Sequence, residues 1–66
     1  MRVRFNTPDG EVEVECNQGV TIFDAILKTS IHPSTVLAVH EGSVIPQNTT
    51  INEDVNIELI IVSSGG

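Results

Sequence analysis

The stretch MRVRFNTPDGEVEVEC, residues 1–16, decides how the rest of the chain is read. Met1, Val3 and Phe5 alternate with Arg2 and Arg4; after a break, Val12, Val14 and Cys16 alternate with Glu11, Glu13 and Glu15. A period of two is that of a strand with one buried face. The break, Thr7-Pro8-Asp9-Gly10, is turn chemistry, because proline pre-sets its φ and glycine takes a positive φ at little cost. Matching like faces sets Phe5 opposite Val12 and Val3 opposite Val14 inside, with Arg4 opposite Glu13 and Arg2 opposite Glu15 outside. A slip of one residue would turn carboxylates into the core, so the pattern itself specifies the register.

Beyond this hairpin, Asn17-Gln18-Gly19 breaks the strand, and Thr21 with Asp24 three residues on forms a variant capping box. Ile22, Ala25, Ile26 and Thr29 recur at helical spacing, with Phe23 and Leu27 widening the apolar face, which predicts one short helix over 22–30. Pro33 closes it, since the residue before a proline disfavours the α region. Residues 36–40 form an almost wholly apolar third strand. Glu41-Gly42-Ser43 connects it tightly to a brief strand at Val44-Ile45, and Pro46 ends that strand. Residues 47–54 are a polar connection. The final strand, 55–62, carries Val55, Ile57, Leu59 and Ile61 on one face, while Ile60 and Val62 break the alternation. Such a break marks either a strand covered on both faces or a patch docked to a partner. A hairpin, a helix and a return to the same sheet make an α+β arrangement. A final strand parallel to the first would bury Val3, Phe5, Ile57 and Leu59 under Ile22 and Ile26.

Composition narrows the function. Sixty-six residues allow one small domain with a compact, aliphatic core, and leave little material to wall off an ordinary active site. One cysteine and two histidines do not cluster, which disfavours disulfide stapling and metal-driven folding. No apolar run approaches the length of a membrane span or a signal peptide, so the expected location is cytoplasmic, with no membrane partner. Nine acidic residues against three basic give a net charge of −6. That charge argues against nucleic acid and for partners with a basic surface.

The sequence then closes on Ser63-Ser64-Gly65-Gly66, directly after its longest apolar strand. This divides the chain into a domain over 1–62 and a tail over 63–66 with no large side chain to pack, expected to be mobile and to extend up to ~14 Å from the sheet. A terminal glycine carboxylate has no Cβ to obstruct a nucleophile, and a Gly-Gly thread enters a channel that larger residues would block. Gly66 is therefore a candidate for activation as an acyl-adenylate followed by attack from sulfide, thiol or amine. The plainer reading is a frayed terminus.

With these features in place, the whole chain resembles the ubiquitin-like β-grasp proteins of the sulfur-carrier and modifier type, the ThiS-like, MoaD-like and small archaeal modifier families. The resemblance rests on the opening hairpin, the helix TIFDAILKT, the segment VLAVHEGSVIP and the closing strand that ends in SSGG. Departures are His40-Glu41-Gly42 where Asn-Gly is common, Gln47 where a basic residue often follows the proline, and Asn52-Glu53-Asp54 in place of an Asp-Gly-Asp turn. The resemblance implies a β-grasp with a mixed four- to five-stranded sheet and one helix packed across it. It also implies a carrier rather than an enzyme. A ubiquitin-activating-type enzyme would adenylate Gly66 with ATP, gripping Ser63, Ser64 and Gly65. The activated end would become a thiocarboxylate that donates sulfur to an acceptor enzyme, or join a lysine of a target protein. No cofactor is bound by the chain itself; ATP is used by the activating enzyme.

Other residues have a structural and a functional reading. Cys16 continues the inward set of Val12 and Val14 and reads as a small buried hydrophobe. His32 and His40 read as strand-end or turn residues. Lys28, the only lysine, is the candidate acceptor for chains, although a solvated residue at the C-terminal end of the helix dipole is the simpler account. Glu11, Glu13 and Glu15 form a solvated outer row that could steer a basic partner. Ile60 and Val62 are either core or a partner patch beside the tail. The alternative function is a non-covalent β-grasp interaction module that uses no terminal chemistry.

Overall fold

A computed structural model describes residues 1–62. The hairpin forms as its alternation requires. β1 (Arg2–Thr7) and β2 (Gly10–Glu15) pair antiparallel, with Val3 opposite Val14, Arg4 opposite Glu13 and Phe5 opposite Val12. In the turn, the Asp9 N–H donates to Thr7 Oγ1 (3.1 Å), and the Thr7 hydroxyl donates to the Gly10 carbonyl (2.8 Å). Gly10 takes φ +126°, a region that other residues rarely enter.

After the hairpin come β3 (Val20–Thr21), α1 (Ile22–Leu27), a single 3₁₀ turn (Pro33–Thr35), β4 (Val36–His40), β5 (Ser43–Ile45), β6 (Thr50–Ile51) and β7 (Val55–Ile61). Five strands make one mixed sheet in the order β2-β1-β7-β4-β5. β7 is its central strand, parallel to β1 and antiparallel to β4. The remaining strands, β3 and β6, pair with each other as a two-stranded antiparallel sheet.

The core lies between one face of the large sheet and α1. Val3, Phe5, Ile57 and Leu59 from the sheet meet Ile22, Ala25 and Ile26 from the helix, all at 1% exposure or less. Cys16 belongs to the same cluster, as its place in the inward set predicts. Phe5 is the single aromatic residue in an otherwise aliphatic cluster.

Three local features differ from the sequence expectation. The helix ends at Leu27 rather than Ser30, because Thr29 uses both its N–H (2.9 Å) and its hydroxyl (2.6 Å) on the Ile26 carbonyl and so tightens the last turn. Phe23 and Leu27 do not widen the buried stripe; both are exposed on the solvent side of α1. The polar connection over 47–54 is not featureless, since it contains β6 and buries Ile51. That segment also completes the helix. Ile22 N–H donates to the Thr49 carbonyl (3.0 Å) and Phe23 N–H to the Gln47 carbonyl (2.9 Å), while Thr21 Oγ1 accepts from Asp24 N–H (3.1 Å). Donors that any helix start leaves without an intrahelical partner are thus satisfied from across the molecule.

Candidate functional site

Strand parity carries the site. Along β7, Val55, Ile57, Leu59 and Ile61 point toward the helix, so Asn56, Glu58 and Ile60 point to the opposite face. In β4 the register sets Leu37 beside Ile60 and Val39 beside Glu58, and β5 adds Val44 beside Val39. The outer face therefore has an apolar corner of Leu37, Val44 and Ile60. Val39, on the same face between Val44 and Glu58, is buried yet separate from the main core cluster. Ile60 is 42% exposed and Val62 36%, so they form a surface patch and not core filling. The Val62 N–H donates to the Thr35 carbonyl (2.8 Å), which carries the β4–β7 pairing one residue past the end of the strand.

Toward β1 and β2 the same face becomes charged. Glu13 accepts from Arg4 Nη2 at 3.1 Å and lies 3.6 Å from Arg2 Nη1, and Glu15 is 4.0 Å from Arg2 Nε. The hydrogen bond from Arg4 to Glu13, with Glu11 nearby, raises the Arg4 guanidinium pKa above its ordinary value. These pairs are exposed and screened by salt, so they set the sign of the surface more than its stability. The expected acidic row is present, with two arginines laid across it.

The remaining candidates are dispersed. Lys28 is the exposed C-cap residue of α1. His32 precedes the 3₁₀ turn, and His40 ends β4, half-buried. Among the described residues, no group of three or more His, Cys, Asp or Glu side chains is arranged to hold a metal ion. No helix among them is long and apolar enough to cross a membrane. Ser63, Ser64, Gly65 and Gly66, the tail positions, lie outside the described residues.

Sequence reasoning missed two parts of this region. Leu37 and Val44 complete the patch, and the available signal was parity: Leu37 is out of phase with Val36 and Ala38, which an unbroken apolar run conceals. Gln47 was the other. Its side-chain amide donates to the carbonyls of Pro33 (2.9 Å) and Val36 (3.0 Å), clamping the 3₁₀ turn and the start of β4 to the segment after β5. No family model matches the chain, and no curated protein matches it in sequence.

Proposed function

We propose that this chain is a ubiquitin-like β-grasp protein that serves as a sulfur carrier or protein modifier through the carboxylate of Gly66. The observation that carries this reading is the position of β7. It is held on both sides in the middle of the sheet, it ends beside the exposed Ile60 and Leu37, and the sequence continues from there into Ser63-Ser64-Gly65-Gly66. The sheet order, the opening hairpin and the helix against one face are consistent with a β-grasp.

On this reading the chain is a substrate and no catalyst. A Gly66 carboxylate oxygen attacks the α-phosphorus of ATP in the pocket of an adenylating enzyme, and pyrophosphate leaves. Hydrosulfide then attacks the acyl carbon and expels AMP to leave a thiocarboxylate. Alternatively a lysine amine attacks, loses a proton and expels AMP to leave an isopeptide bond. The patch of Leu37, Val44, Ile60 and Val62 gives the adenylating enzyme a grip, and the acidic half of the same face steers its basic surface. Such work belongs in the cytoplasm, where the ATP is.

The test is intact-mass spectrometry of the full chain after incubation with a ubiquitin-activating-type enzyme, ATP and hydrosulfide. An oxygen-to-sulfur exchange is expected on the intact chain and none after deletion of Gly66. An adduct that survives the deletion overturns the reading. Partner binding without any adduct would make the protein a non-covalent interaction module instead.

A further inference from the structure

The face of the sheet that carries the core is not covered along its whole length. α1 has six residues and is roughly 9 Å long, whereas the seven residues of β7 span roughly 23 Å. Past Leu27 the chain turns away, and a cleft of about 170 Å³ opens between the end of β7, the hairpin turn and Ile31. Val12, Ile31, Val36, Leu59 and Ile61 line it. Ile61 points to the buried side, since it pairs with Val36, yet it is 58% exposed. Asp9 is the one charged residue among the described residues that line the cleft.

We infer that this cleft is a docking site for a single apolar side chain presented by a basic segment of a partner protein. Its size suits one side chain, because an apolar cavity of roughly 150 Å³ takes a benzene-sized group. Three occupants compete on chemistry. Ser63, Ser64, Gly65 and Gly66, which follow Val62, have no apolar side chain to insert. A second copy would bring another net charge of −6 against the first and a second Asp9 toward the first. A leucine, isoleucine or methionine flanked by lysine or arginine meets both the apolar floor and the Asp9 carboxylate.

The test is titration of the ¹⁵N-labelled full chain, followed by NMR, with three short peptides: lysines around a central leucine, lysines around a serine, and glutamates around a leucine. The lysine–leucine peptide should shift the amides of Asp9, Val12, Ile31 and Ile61 and bind at least about tenfold more tightly than the lysine–serine peptide, the gain expected from burying one aliphatic side chain. It should also bind more tightly than the glutamate–leucine peptide, whose charge opposes Asp9 and the net charge of the chain. Ile61→Asp and Asp9→Asn, both at exposed positions, should each weaken that binding while the rest of the spectrum stays dispersed. Equal binding of the leucine and serine peptides, shifts centred on Leu37 and Ile60, variants that bind like the parent, or no binding at millimolar peptide would each overturn the assignment. The peptide titration reads amide shifts at Asp9, Val12, Ile31 and Ile61, whereas the deletion of Gly66 reads a mass change, so the two tests fail independently.

Discussion

Glu41 holds φ at +52° and Gly42 at +83°, the two left-handed positions of the turn between β4 and β5. Asn-Gly suits such a turn because the short amide side chain of asparagine hydrogen-bonds to the local backbone and offsets the cost of the left-handed region, whereas the longer glutamate side chain offers no such compensation. Glu41→Asn should therefore stabilise the protein by about 0.5–1 kcal/mol, read as a higher urea midpoint at unchanged slope. Gln47 makes the opposite case. Its amide donates to two backbone carbonyls from a half-buried position, so Gln47→Ala leaves both acceptors short of a partner. A loss of about 1–3 kcal/mol is expected in the same denaturation experiment. Nothing in the sequence around Gln47 indicated this clamp, because both partners are main-chain atoms eleven or fourteen positions away.

At the scale of elements, the hairpin and β7 were legible because a period of two leaves only one arrangement that keeps Glu11, Glu13 and Glu15 out of the core. The helix start was legible for a local reason, the Thr21 side chain reaching the Asp24 N–H. Thr21→Ala should cost about 1 kcal/mol of stability by chemical denaturation. The helix end was not legible, since Thr29 continues the apolar spacing while its hydroxyl competes for the Ile26 carbonyl. The Arg4–Glu13 pair has a defined pH and salt signature. With the Arg4 pKa raised in the folded state, its contribution is present below the ordinary arginine pKa and is lost only as pH rises through the folded value. Arg4→Gln should thus have an effect that is flat across neutral pH on the arginine side and that shrinks as salt is added, measured by thermal unfolding at low and high ionic strength.

For the whole molecule, stability of roughly 0.05–0.15 kcal/mol per residue gives 66 residues only about 3–10 kcal/mol to lose. The two faces of the sheet spend that margin differently. Leu59, 1% exposed against the helix, should cost about 2–5 kcal/mol when cut to alanine, enough to bring the protein close to unfolding in a circular-dichroism melt. Ile60, its neighbour in sequence, should tolerate aspartate with the melt nearly unchanged while binding to an adenylating enzyme weakens, measured by calorimetry. Collapse of the Ile60→Asp variant would mean that the outer face is packed in solution and is no docking patch.

The sequence alone determined the hairpin register, the helix cap and the acidic outer row, because each follows from contacts between near neighbours or from a strict alternation. It also supplied the tail chemistry on which the proposed function rests. Only the tertiary structure decided which side of β4 and β5 faces the helix, and that Leu37, Val44 and Ile60 remain at the surface. It alone brought β6 to β3 and the Gln47 and Thr49 carbonyls to the helix start. It also left Ile61 uncovered beyond a six-residue helix. The physical reason is the same in each case: an apolar run states that burial is wanted, but the amount of cover depends on where the rest of the chain comes to lie.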